Sequence, residues 1–475
     1  MALPGTPNKA GCLTPAARVV ALATTAALVL SSAPASPPLH AQSAPSTPPG
    51  LPVIRDAEIE QLLRDYTQPL LRAAGLAKQN VKVVILNERG FNAFVMDGRH
   101  IFVNSGALFE AKTPNEVIGV LAHEIGHLAG GHLARLREQL ATAQTASIIA
   151  MLAGIGAMVA ASRSSQIGGN PAAAILAPQE TIKRTLLSYV RAQEDAADHA
   201  GVKLLNATGQ STRGMYDTFK RLGDEMLFQS RYIDPYVQSH PLPTDRVAAL
   251  EVLAKQSPYW DKKDSPELQM RHDLMRAKLA GFLDRGETVA RRYPANDQGL
   301  PARYARAIAA YRHTDLRNAV AQIDGLIAAQ PNNPYFYELK GQALIEGGRP
   351  AEAVAPLRRA VQGAPQPALI KILLAQALLA SNQNSEEAVG MLQSAIAVEP
   401  EAPDAYTQLA MAYGKKGDVA QADLASAQAA FVRGDLRTAR QLAARAKTRL
   451  PIGSPAWVRA DDLATVKAPA GAKSN

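Results

Sequence analysis

The chain has 475 residues, 47% hydrophobic and 20% charged, which excludes a disordered or fibrous polymer and leaves room for two or more domains with full cores. Its formal net charge is +9, but Lys and Arg are spread through both halves and aromatic residues make up only 5%, so no basic block with interleaved stacking rings is present and nucleic acid is excluded as a partner. The excess charge suits a solvated surface with some attraction for acidic partners, and it allows peripheral membrane contact.

The amino terminus reads as an export signal over residues 1–41. Lys9 and Arg18 supply positive charge, Val19 to Leu30 is an apolar run broken only by Thr24-Thr25, and Ala33-Pro34-Ala35 or Ala41 marks cleavage. A membrane anchor needs about 20 apolar residues, and this run is shorter. The mature chain is therefore expected in the periplasm. Cys12, the sole cysteine, lies before the apolar run, where it is badly placed for lipid attachment. Its removal leaves a chain without thiols, suited to an oxidising compartment and not a disulfide scaffold.

Pro, Ser and Ala dominate residues 36 to 52, so 42–52 is expected as a flexible linker. Val81 to Leu86 reads as a largely buried strand. Phe91 to Val95 and His100 to Val103 read as two more, separated by the turn-prone Met96-Asp97-Gly98-Arg99. A small sheet follows from these.

Thr113-Pro114-Asn115-Glu116 is a capping box with proline at the first helical position. The helix it starts carries His123-Glu124-Ile125-Gly126-His127. Residues four apart on a helix lie nearly above one another, so both imidazoles can reach one zinc ion with the intervening carboxylate beside it. Val117, Leu121 and Leu128 can then face the core, and Gly130-Gly131 offers a place to end the helix. Ala146 to Ala161 is a second apolar stretch, too short for a comfortable span and read as a helix beside the site, followed by a loop over Ser162 to Gly169.

A catalytic zinc of this type needs a third protein ligand and one open position. Glu194, in the helical string Arg191 to Asp198, is the choice, with Asp198 one turn on and placed to accept a hydrogen bond from a ligand histidine. His132 competes, but five residues after His127 a regular helix turns it away from the metal; a break at Gly130-Gly131 could bring it back, yet the three-histidine spacing needs the third one position later, at Leu133, so it reads as structural.

From roughly residue 300 the chain becomes alanine-rich and helical, and Pro331, Pro365 and Pro400 recur 34 and 35 residues apart. Gly-centred turns at Glu346 to Arg349 and at Lys416 to Asp418 can separate paired helices. This is the tetratricopeptide period. The expected fold is mainly α: an α+β zincin-like metallopeptidase domain with a small sheet over 53–265, an α-solenoid of repeats over 266–455, and a flexible tail over 456–475.

The chain resembles the exported zinc peptidases of the beta-barrel assembly-enhancing type, relatives of the CAAX-processing and heat-shock membrane peptidases. The matching residues are His123 to His132, Glu194 to Asp198, Asn92-Ala93-Phe94, and Ser239 to Arg246. Ala196 departs from relatives that often carry a second glutamate there.

The resemblance implies that His123, His127 and Glu194 bind one Zn2+ per chain and that Glu124 is the base. It implies that Asn92, Ala93 and Phe94 form an edge strand pairing with extended substrate, and that the loop holding His240 and Arg246 approaches the metal, with His240 as an extra donor or a resting fourth ligand. The expected function is a zinc endopeptidase that cleaves misfolded or stalled envelope proteins, with unfolded or assembling envelope proteins as partners and the outer-membrane barrel assembly machinery met through the repeats. The alternative is a repeat-based periplasmic chaperone or adaptor with a mainly structural metal site.

Overall fold

The computed structural model describes residues 51–141, 171–228 and 240–466, with side chains from 188 onward in the second stretch. The export signal, most of the linker, and the stretches at 146–161 and 162–169 lie outside the described residues.

Strand β1 (Val53–Ile54) leads into helix α1 (Ala57–Ala73), whose start is fixed by Asp56 accepting from the Ile59 amide. Strands β2 (Lys82–Leu86), β3 (Ala93–Val95) and β4 (His100–Asn104) complete a sheet of order β1-β2-β4-β3. The β2–β4 pair is parallel, and β3 runs antiparallel to β4 with Phe94 opposite Phe102. β3 is therefore an edge strand. β2 is less buried than its composition suggests: Lys82, Val83 and Val84 are half-buried and only Ile85 and Leu86 are fully covered.

Helix α2 (Ser105–Glu110) turns the chain into α3 (Pro114–Gly130), where the Thr113 hydroxyl accepts from the Glu116 amide and Pro114 opens the first turn. Helices α4 (Pro171–Ala207) and α5 (Arg213–Phe228) pack on α3, and α6 (Thr244–Lys255) packs on α4 and α5. The resulting core joins Leu62, Leu63 and Leu70 of α1 and Ile101 and Val103 of β4 to Leu121, Ile125, Leu205 and Phe219. α6 begins at Thr244, so Arg246 stands in a helical first turn, while His240 remains in the irregular segment before it.

Helix α7 (Pro266–Leu283) serves two cores. Its Met275 and Leu279 pack with the peptidase-side cluster, whereas Leu274 and Ala277 pack with Tyr304, Ile308 and Phe336 of the following helices.

The short helix α8 (Gly286–Arg292) precedes helix pairs at Leu300–His313 with Leu316–Ala329, Pro334–Glu346 with Pro350–Gly363, Ala368–Ala380 with Ser385–Val398, and Pro403–Lys415 with Val419–Val432. Pro331, Pro365 and Pro400 each fall two residues past the second helix of a pair, where proline stops a helix without costing it a hydrogen bond.

A last pair is Leu436–Lys447 with Pro455–Thr465, so 456–465 of the expected flexible tail is helical, and 467–475 lies outside the described residues. Ser454 accepts from the Trp457 amide, Pro455 opens the helix, and Ala456 and Ala460 bury against Leu424 and Leu450. Trp457 and Leu463, half-buried, pack against the same cluster.

The amino-terminal segment is clamped to the repeats. Lys278 Nζ, on the buried side of α7, lies 2.8 Å from Asp56 and 3.2 Å from Glu58, with Glu338 of the second pair at 3.9 Å. The Tyr304 hydroxyl donates to Glu58 at 2.8 Å, Arg55 pairs with Glu399 at 2.8 Å, and Ala57 packs on Ala360 and Ile370.

Candidate metal centre

Helix α3 carries His123, Glu124 and His127 on the face turned towards α4. The close approach depends on Gly126: a Cβ there would lie 2.9 Å from the Ala197 carbonyl oxygen and 3.1 Å from the Ala200 Cβ. α3 ends at Gly131, which takes the left-handed conformation (φ 62°) and sends its amide back to His127 and Leu128. Helix resumes at once over residues 132–141, in a new direction.

Four side chains converge. His123 Nε2 and His127 Nε2 are 3.0 Å apart, and the Glu194 carboxylate stands 3.4 Å from each. His240 Nδ1 is 3.4 Å from His123 Nε2 and 3.1 Å from Glu194 Oε2. One ligand atom from each of the four lies within 4.8 Å of the others.

The supporting groups are equally well defined. Arg246 donates from Nε and Nη2 to the two Asp198 oxygens at 2.8 and 2.9 Å, reaches Glu194 at 2.9 Å, and caps the Pro241 carbonyl at 2.8 Å. This fork ties the His240 segment to α4. Asp198 Oδ1 stands 2.9 Å from His123 Nδ1, within ion-pair range although the N–H is not aligned for a hydrogen bond. The Phe219 ring meets His123 edge-on at 5.2 Å and lies under the Arg246 guanidinium.

Electrostatics follow from burial and neighbours. Burial disfavours charge on His123, but Asp198 and Glu194 outweigh it and raise its pKa to about 9. Burial drives His127 down to about 3. Burial also opposes ionisation of Glu194, yet His123, His127 and His240 hold its carboxyl far below the usual range. For Glu124 burial dominates and pushes the carboxyl up, only partly offset by His240 and His123.

The residues fit a catalytic metal. Two imidazole nitrogens and one carboxylate form a recognised three-ligand set for such an ion. Beside them Glu124 is fully buried with neither oxygen hydrogen-bonded, its nearest partner being His240 Nε2 at 3.5 Å. A buried carboxylate without a hydrogen bond is costly in a purely structural core, so its place next to the ligand set points to chemistry.

Ala93 and Phe94 lie on the edge strand β3, with Phe94 stacked on Phe102, and Asn92 sits just outside it, its carbonyl accepting from the Asn104 amide. His132, read as structural, is brought by the break at Gly131 to 2.9 Å from His127 Nδ1. Gln193 reaches the His132 carbonyl at 3.4 Å. Nothing in the sequence marked Phe219 or Gln193. The signal for His132 was the Gly130-Gly131 pair, which forbids extrapolating one helix past it.

Fold and site together define a metallopeptidase-type domain joined to helical repeats. Residues 55–254 match the model of peptidase family M48, and residues 304–367 and 372–422 match the tetratricopeptide repeat model. The chain carries a family M48 peptidase domain followed by tetratricopeptide repeats.

Relatives span much of it. The beta-barrel assembly-enhancing protease of Yersinia pestis is 25% identical over 424 residues, covering 86% of this chain and 83% of its own. That of Escherichia coli K12 is 24% identical over 417 residues with the same coverage. A Vibrio cholerae relative is 30% identical over 231 residues, 48% of this chain and 45% of its own length, so the chain spans less than half of that protein. No helix among the described residues is long and apolar enough to cross a membrane.

Proposed function

We propose that the chain is an exported zinc endopeptidase of the periplasm that cleaves misfolded or stalled envelope proteins and assists outer-membrane protein assembly. The observation that carries this reading is the convergence of His123, His127 and Glu194 beside the buried Glu124, whose oxygens accept no hydrogen bond. The names of the relatives support the envelope setting.

His123, His127 and Glu194 would hold the ion, which supplies Lewis-acid polarisation of the scissile carbonyl and a more acidic water. Glu124 takes the proton of the attacking water on a carboxylate oxygen and returns it to the leaving amine nitrogen. Burial that raises its pKa makes the protonated form accessible during that transfer. Asp198 and Arg246 hold His123 and Glu194 in place. The free edge of β3 would accept an extended substrate through backbone hydrogen bonds, which gives affinity without strict sequence choice. The stacked helix pairs offer a surface for recruiting protein partners, the barrel assembly machinery among them.

Replacing Glu124 with Gln tests the reading. Metal should remain bound while cleavage of an unfolded model protein falls by about 10²- to 10⁴-fold; parental cleavage by that variant would refute it.

A second reading is supported by His240. Its Nδ1 lies among the ligand atoms, and a fourth protein ligand closes a metal site as in structural centres. The site would then rest closed until the segment before α6 moves. His240→Ala should raise basal cleavage, and unchanged or lost activity would count against closure.

A further inference from the structure

We infer that His132 is a positioning residue for the metal, acting by fixing which nitrogen of His127 carries the proton. The inference rests on the reading that His123, His127 and Glu194 take a divalent cation.

A ligand histidine offers a lone pair only if its other ring nitrogen keeps the hydrogen, so each needs an acceptor behind it. Behind His123 Nδ1 the Asp198 carboxylate stands 2.9 Å away, in ion-pair range. Among the described residues His127 has no carboxylate at its Nδ1; what stands there is His132 Nδ1, at 2.9 Å, with the rings 5.0 Å apart and 83° from coplanar.

Two nitrogens in contact must share one hydrogen. With the hydrogen on His127 Nδ1, its Nε2 presents a lone pair towards His123 and Glu194. With the hydrogen on His132, His127 carries its own on Nε2, aimed into the ligand cluster, and the cation is excluded. His132 as acceptor selects the competent form.

The local chain is arranged to put that ring there. Left-handed Gly131 ends α3 and turns residue 132 back over the preceding turn. Gly130 leaves the room: a Cβ at that position would lie 2.3 Å from His132 Nε2 and 2.6 Å from its Cδ2. The His132 carbonyl accepts from Gln193, the neighbour of Glu194, so the same residue is tied to the strand of contacts holding the third ligand.

The test is Zn2+ affinity of the full chain, measured by competition with a chromophoric chelator, on the parent and on His132→Ala, His132→Asn and Gly130→Ala. The parent should bind one ion. His132→Ala should bind about 10- to 100-fold more weakly, the usual cost of losing a partner behind a ligand. Gly130→Ala should weaken binding likewise, because it displaces the ring while leaving His132 present. His132→Asn, whose amide oxygen can replace the acceptor, should recover to within a few-fold of the parent.

Nitrogen-15 spectra of the metal-free parent should show His127 with hydrogen on Nδ1, a signature that a merely space-filling His132 would not set. Parental affinity in His132→Ala overturns the inference; should that variant not fold, parental affinity in Gly130→Ala does so. A parent that binds no zinc overturns the metal reading beneath it, a distinct result.

Discussion

The middle of the metal-binding string tests whether helix spacing controls the centre. In Gly126→Ala the new Cβ would lie 2.9 Å from the Ala197 oxygen, 3.1 Å from the Ala200 Cβ and 3.2 Å from the Ala197 Cα. Carbon atoms sit comfortably at about 3.5–4.0 Å, so α3 and α4 must part by roughly half an ångström. All three atoms belong to backbone or to a rigid alanine, so no side chain can swing away. α4 carries Glu194 one turn before Ala197, and the carboxylate now stands 3.4 Å from both imidazoles.

Overpacking of this kind costs about 1–3 kcal/mol. A catalytic constellation tolerates about 0.5 Å of drift, and larger misplacement costs on the order of 10²-fold in rate. Urea denaturation of Gly126→Ala should therefore show a loss of about 1–3 kcal/mol, with cleavage of an unfolded protein reduced by roughly two orders of magnitude. Gly390→Ala is the matched control: it lies inside the helix Ser385–Val398, where a Cβ meets nothing within 4 Å. It should instead gain about 0.5–1 kcal/mol from helix propensity. Equal, parent-like behaviour of the two variants would refute the spacing argument.

Lys278→Met leaves Asp56, Glu58 and Glu338 without their buried cation and should cost about 3–5 kcal/mol in denaturant unfolding. Glu338→Gln probes the same cluster through pH. Burial raises the Glu338 pKa from the ordinary 4.5 to about 8, so the folded chain keeps a proton that the unfolded chain releases, and stability falls as pH rises through that window. The variant should match the parent at low pH and exceed it increasingly towards pH 8, as read by denaturation at a series of pH values. Ending the chain at Ser454 removes the helix Pro455–Thr465 and uncovers Leu424 and Leu450, so limited trypsinolysis should cut within residues 436–449 faster than in the full chain.

Features that rest on fixed periodicities were legible in the sequence. The Thr113 cap, the two histidines a turn apart and the prolines after three of the helix pairs all follow from spacing along one chain segment. Glu194 was legible because an acidic helix gains meaning once a two-histidine string demands a third ligand.

What escaped has a common cause: it depends on where the chain turns or on partners far away. The contact of His132 with His127 depends on Gly131, a residue at φ 62° where the chain turns, so helical spacing alone does not display it. Lys278 reads as a solvent-facing lysine, since only the arrival of residues 56, 58 and 338 makes a buried cation there tolerable. Arg55 and Glu399, 344 residues apart, pair for the same reason.

The consequence bears on function. α7 gives Met275 and Leu279 to one core and Leu274 and Ala277 to the other, while the segment before α1 is gripped by the repeats. Movement of the repeats therefore strains α1 and α7, which pack on the core beneath α3, and packed cores shift between discrete arrangements more readily than they deform smoothly. A partner seated on the repeats thus has a mechanical route to the helix that carries His123 and His127, through contacts that no single stretch of sequence displays.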